Sequence, residues 1–322
     1  MKFVTNGLVV TKDNEVIEEY DITNTRGGVG LKITGNNVTV RNCFIHDTKD
    51  HGILFLGTNG GTLENCEITR CAMRSRPNTI SGGWPSLVKV QSVDESPNGL
   101  AQNIVIRNNY IHHGWGEGMG LRGSHIEVYG NTVEDCYSFG IYSNSDNTYI
   151  HGNFVVARDK SYYRSGYPMA GIGGAEETFA KWGAHGHDTH TVINNIVLDC
   201  KHGYRFGRSD NKKGLVDTII AYNTFAGCKS APVSITYYPN QRGIRIENNI
   251  ANKVITTKGA ALSGNVVKQQ AGFAPEDFKL SAPIPAMGAY WVVDDFGHNA
   301  RLGIPDVGAW EYNEDERKIY YE

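Results

Sequence analysis

The stretch RNNYIHHGWGEGMGLRGSHIEVYGNTVEDCYSFGIYSNSDNTYIHGNFV, residues 107–155, repeats one short phrase three times. RNNYI, YGNTV and HGNFV put Asn109, Asn131 and Asn153 two residues before Ile111, Val133 and Val155, and the step is 22 residues both times. The phrase continues upstream as ENCEI and RNCFI, anchored on Cys66 and Cys43, which lie 23 residues apart. Tyr20 in YDI, another 23 residues back, reads as an earlier copy. Downstream come INNIV, AYNTF, IENNI and SGNVV, anchored on Asn195, Asn223, Asn248 and Asn265. A period of this size signals a solenoid, because each unit buries its apolar face only against its neighbours.

The units are strand-like. NNVTVRNC, NIVIRNN, SHIEVYGN and GIRIENN alternate apolar and polar residues, with Gly, Asn and Asp as punctuation. Three short strands and three turns per coil predict an all-β, right-handed parallel β-helix of about ten coils. An asparagine at one turn of every coil can stack on its copies, each amide bonding the next, and it tolerates the left-handed backbone of a tight bend. Residues 1–27 are expected to form an irregular N-terminal coil, 28–269 the β-helix and 270–322 a terminal segment that caps it.

Two coils are enlarged: Cys66 to Asn109 takes 43 residues and Asn153 to Asn195 takes 42. Each is read as one coil with long corner loops, at 72–85, 92–102, 157–169 and 175–190. Loops on a rigid scaffold are where sites are usually built. The six cysteines fall into equivalent positions of different coils, Cys43 and Cys66 in the asparagine column and Cys71, Cys136, Cys200 and Cys228 three residues after the apolar anchor. They read as soft packing residues without disulfides.

The net charge of −3 does not suggest a nucleic-acid partner. No apolar run is long enough to span a membrane. MKFVTNGLVV lacks the apolar core of a signal peptide, and so abrupt a start in strand-like sequence is expected where a leader has been removed from a secreted protein.

The repeat, the asparagine column and the GNxV turns resemble the right-handed parallel β-helix superfamily of pectate-lyase-like proteins. The ending DDFGHNARLGIPDVGAWEY, residues 294–312, is similar to the closing segment of many secreted bacterial β-helix proteins. The resemblance implies polysaccharide lyases, polysaccharide hydrolases, uronate epimerases or phage tailspikes. The sharper motifs are missing: there is no NTD, GHG or RIK, no WIDH and no YGFDPHE, and RSRPNT at 74–79 holds only a fragment of RxPxxR.

Chemistry is sought on the strands that follow each Gly-aliphatic step. Alternation leaves Lys32, Lys89, Gln91, Arg122, Tyr142, Asn144 and Arg205 facing outward, with Gly120 and Gly173 making room between them. A solvated polar face would also carry such residues. As a groove, the strip suits an acidic polysaccharide, since arginine forks bind carboxylates. For β-elimination, Arg122 and Arg205 would neutralise the uronate, Lys89 would take the α-proton and Tyr142 would protonate the leaving oxygen. A second constellation is Glu117, beside His51, Trp115 and His202 at the preceding corner, with Glu176 and Glu177 at the exit of the AGIGGA strand. Two carboxylates across a groove would serve glycoside hydrolysis. HGHDTH offers His185, His187, Asp188 and His190 as metal ligands. No cofactor is firmly indicated; calcium fits the resemblance, but no DxDxDG loop marks it. The leading expectation is a secreted lyase of uronic-acid polysaccharides, ahead of a glycoside hydrolase and of a glycan-binding adhesin or spike without catalysis.

Overall fold

A computed structural model describes the chain except residues 74–84, 95, 97–98, 164–165, 180–182, 185–188, 288–293, 300, 302–304 and 313–322. Its strands form three parallel sheets of eleven, nine and ten members. Each complete coil gives one strand to each sheet, and the last two coils, from Arg245 on, give none to the nine-stranded sheet. In one coil, Gln102–Arg107 lies in the ten-stranded sheet, Tyr110–Gly114 in the eleven-stranded sheet and Glu117–Arg122 in the nine-stranded sheet. The next coil repeats the order with Ser124–Tyr129, Thr132–Cys136 and Phe139–Ser143. This is the right-handed parallel β-helix.

Stacking in register puts like on like. Ile22, Ile45, Ile68, Ile111, Val133, Val155, Val197 and Phe225 form one inward column of the core. Beside it runs the amide ladder. Asn109 donates to Asn131 Oδ1 at 2.9 Å, Asn131 to Asn153 at 2.9 Å, Asn153 to Asn195 at 3.0 Å and Asn195 to Asn223 at 3.0 Å. Each amide also bonds a main-chain carbonyl of the preceding coil, as Asn131 does with Ile106 at 2.9 Å, so these buried polar groups are satisfied. The direct Asn153–Asn195 bond and the pairing of Glu67–Thr69 with Tyr110–Gly114 make each enlarged segment a single coil.

The ladder corrects one rung. The next member after Asn223 is Asn249, not Asn248, at 3.0 Å, and Ala251 takes the inward place expected of Ile250. Asn248 has φ +53°, matching Asn108 at +54° and Gly130 at +63°. The left-handed bend therefore belongs to the residue before the ladder, and Asn109, Asn131, Asn153, Asn195, Asn223 and Asn249 are not among the residues with positive φ.

Residues 1–27 are more regular than expected: Lys2–Val4, Leu8–Val10 and Val16–Glu18 pair with the next coil in all three sheets. The C-terminal segment packs on the outer flank, where Phe278, Ala309 and Trp310 join Phe154, Ile196 and Ala226. Its anchor is Arg301, whose guanidinium donates to Asn194 Oδ1 at 3.0 Å and to the carbonyls of Asp294, Asp306 and Gly308, and lies over the Tyr222 ring. All six cysteines are buried free thiols.

Candidate functional site

The nine-stranded sheet carries the outward strip in two rows. Lys89, Gly120, Tyr142, Gly173 and Arg205 are register partners in successive strands, so large residues alternate with glycines. Strands stack about 4.8 Å apart, which puts about 10 Å between neighbouring large residues of the row. Arg122 is not in this row. It pairs with Gln91, two residues further along the strands, so Gly120 rather than Arg122 separates Lys89 from Tyr142.

A cleft of about 660 Å³ opens over these rows. Lys89, Gln91, Arg122, Tyr142 and Arg205 line it, with Glu117 and His51 at its corner. Glu177 and Arg208 also line it, so that among the described residues four cations, Lys89, Arg122, Arg205 and Arg208, face two carboxylates.

Gly120 shapes the centre. A Cβ there would overlap Ser86 Oγ and lie 2.6 Å from Glu117 Oε2 and 2.8 Å from Lys89 Nζ. Lys89 is only 2% exposed, and its Nζ has no hydrogen-bond partner among the described residues. Burial, then the charge of Arg122, lowers its pKa to about 8, against the opposing pull of Glu117 and Glu177. Burial likewise raises the Glu117 pKa, while Lys89, Arg122 and a 3.0 Å bond from Ser86 Oγ favour its charged form. His51 Nδ1 lies 2.9 Å from the Ser86 amide and 3.2 Å from the Ser86 carbonyl.

Tyr142 is 7% exposed and donates to Glu177 Oε2 at 2.8 Å. Burial first, then Glu177 and Glu117, push its pKa well above the usual phenol value, so the hydroxyl keeps its proton. Glu177 also faces Arg122 at 3.8 Å and Arg208 at 3.5 Å.

Glu176 does not reach the cleft. Alternation from inward Ile172 carries Glu176 inward as well, while the extra residue of the register shift lies on the partner strand between Phe206 and Ser209; Glu176 is fully buried, accepting from Ser209 Oγ and Asn211 Nδ2. Glu177 takes the cleft side instead. Asn144 is also buried, and its amide clamps the Glu177 backbone, donating to the carbonyl at 3.3 Å and accepting from the N–H at 3.4 Å. Lys32 stands two coils from Lys89 with Leu54 between them, outside the cleft. Trp115 stacks on Tyr162 at 4.9 Å, beyond the lining. His202 is buried at its corner and held neutral, its pKa lowered to about 4 by burial and then by Arg205 and Lys201.

RSRPNT and, in HGHDTH, His185, His187 and Asp188 lie outside the described residues. His190 is fully buried near Tyr204. Among the described residues, His113, Glu134 and Asp135 bring ligand atoms within 4.8 Å of one another, away from the cleft. Asp135 already accepts from the Arg158 and Asp159 amides and the Tyr163 hydroxyl.

Comparison with known proteins agrees with the fold. A family described as right handed beta helix region matches residues 1–155. Pectate lyase Pel9A superposes with a TM-score of 0.62 at 12% identity, over 97% of this chain and 84% of that one. The catalytic unit of the GH87 alpha-1,3-glucanase from Streptomyces thermodiastaticus strain HF3-3 gives 0.53 at 14% identity, over 79% of this chain; the chain spans 46% of that unit. The surface adhesin PfbA of Streptococcus pneumoniae gives 0.51 at 13% identity, over 79% of this chain and 68% of that one. No curated protein sequence matches. No helix among the described residues is long and apolar enough to cross a membrane.

Proposed function

We propose that the protein is an extracellular polysaccharide lyase that cleaves a uronic-acid-containing polymer by β-elimination in this cleft. The observation that carries the reading is Lys89: a buried amine with no hydrogen-bond partner among the described residues, its pKa lowered to about 8, on the floor of a cleft with more cations than carboxylates. An unprotonated amine at that place is a base for the proton α to a uronate carboxylate.

The arginines have the matching task. Arg122, Arg205 and Arg208 neutralise the carboxylate, so that the negative charge left when the α-proton departs is stabilised on its oxygens. Lys89 takes the proton, the electron pair forms the new carbon–carbon double bond, and the bond to the glycosidic oxygen breaks. Tyr142, kept protonated, donates to that oxygen. The products are an unsaturated uronide and a free sugar hydroxyl; Lys89 then returns its proton to solvent and Tyr142 regains one. The likeness to a pectate lyase supports the reading at the level of fold.

A glycoside hydrolase is the second reading, favoured by one observation: Glu117 and Glu177 line the same cleft, and burial raises the Glu117 pKa as a general acid requires. The test is a screen of acidic and neutral polysaccharides, followed by ultraviolet absorbance and by reducing ends. Absorbance with acidic polymers is expected. Reducing ends without absorbance overturn the lyase in favour of the hydrolase, and binding without either product makes the protein a glycan-binding solenoid.

A further inference from the structure

Among the described residues, Glu177 is the one carboxylate that touches the proposed acid and two of the cleft's arginines. Its Oε2 accepts from Tyr142 at 2.8 Å and lies 3.8 Å from Arg122, and its Oε1 lies 3.5 Å from Arg208. These are the groups that a uronate carboxylate and the oxygen β to its proton would meet. A carboxylate of the protein therefore occupies the place that the reaction assigns to the substrate.

The backbone makes this arrangement possible. Strand alternation turns the two consecutive glutamates to opposite sides, and the extra residue of the neighbouring strand, between Phe206 and Ser209, sets Ser209 beside Glu176. Glu176 is locked inside by Ser209 and Asn211, and the Asn144 amide holds the Glu177 peptide from both sides. The Glu177 side chain is 22% exposed, so its carboxylate can swing into solvent while the main chain stays clamped. Arg122, held at 17% exposure, stays in place to receive another anion.

We infer that Glu177 is an internal stand-in for the substrate carboxylate, which an anionic sugar displaces from Arg122, Arg208 and Tyr142 and a neutral sugar does not. This rests on the reading of the cleft as a uronate site and makes Glu177 its specificity-determining residue. An incoming carboxylate restores the charge pairing that the departing one gives up. A neutral ring that pushed Glu177 aside would give up the Tyr142 hydrogen bond and the attraction of Arg122 without replacing either, while Arg208 keeps its pairing with Asp210. With Glu177 seated, only a fraction of molecules is open to ligand, and the apparent affinity falls by that fraction. Removing its charge lifts the competition.

The experiment is calorimetric titration of wild type, Glu177→Gln and Glu177→Ala with oligomers of galacturonate, mannuronate and glucuronate and with a neutral glucan oligomer, at one low ionic strength. Either variant serves if the other fails to fold, as judged by its melting curve. The acidic oligomer that wild type binds is expected to bind the variant on the order of tenfold tighter, the scale of one charge-assisted contact, with no gain for the glucan. If wild type binds an acidic oligomer and the variants bind it no more tightly, the stand-in is refuted while the uronate reading survives. If neither wild type nor variant binds any acidic oligomer, both fall together. Binding by the variants alone supports both.

Discussion

The Lys89 ammonium and the Glu117 carboxylate share the hollow left by a missing side chain: a Cβ on Gly120 would stand 2.8 Å from Nζ and 2.6 Å from Oε2. Opposite charges are thus brought close in a buried place where neither has water to fall back on, and the backbone beneath them is what admits both.

Gly120→Ala is therefore expected to displace the pair without unfolding the coil. Overpacking of this kind costs about 1–3 kcal/mol, read as a lower melting temperature, and kcat/KM should fall far more than stability does. Wild-type turnover in this variant would show that Lys89 and Glu117 are not used.

The lowered pKa of Lys89 fixes the sign of two pH effects. Turnover should rise with pH through about 8, as the neutral amine forms. Stability contributed at this site should also rise with pH, between about 8 and the ordinary lysine value of 10.5, because there the unfolded chain binds the proton that the folded one has released. In Lys89→Met, chemical denaturation across that range should lose this slope, and the variant should have no lyase activity.

Tyr142→Phe should lower kcat more than it raises KM, since an acid acts only in the transition state. Arg122→Ala should lose about a hundredfold in kcat/KM, the scale of a charge-assisted hydrogen bond. Steady-state kinetics on the polymer found by screening tests both; full activity in both variants would return the strip to an ordinary solvated face.

Replacing Asn131 by Leu removes the acceptor of both the Asn109 side chain and the Asn109 main-chain N–H, at 2.9 and 3.0 Å. Each buried donor left without a partner costs about 1–3 kcal/mol. A midpoint in urea unchanged from wild type would count against the ladder as a source of stability.

Arg301→Ala should release the C-terminal segment. The guanidinium is 1% exposed beside Glu311 at 3.0 Å, and removing one partner of such a pair costs about 3–5 kcal/mol. Limited proteolysis should then cut within the segment beyond Val267 while the coils resist.

The period was readable because a buried amide is satisfied by its own copy one coil away, so the constraint repeats in the sequence. The slip at IENNI had a local cause: two asparagines stand side by side, and the inward residue, Ala251, is too small to mark the register. The outward positions of Lys89, Gln91, Arg122, Tyr142 and Arg205 followed from alternation at period two. Glu176 was misplaced because the alternation was not carried to the end of its strand, where counting from Ile172 puts Glu176 inward and Glu177 outward; the extra residue between Phe206 and Ser209 on the neighbouring strand hid Arg208 as a partner. The burial of Lys89 was beyond pattern reading, since the groups that crowd it, Ser86, Glu117 and Arg122, reach it through stacking and a missing Cβ.

The even stacking has an evolutionary consequence. A duplicated stretch of one repeat, copied in frame near either end, would add a rung to the ladder and a strand to each sheet while leaving every other neighbour relationship intact. The same duplication between Lys89 and Arg205 would drive the residues that line the cleft apart by a full strand spacing, about 4.8 Å. Copy number can therefore drift at the ends of this chain, whereas the five coils from Lys89 to Arg205 are bound to a fixed count.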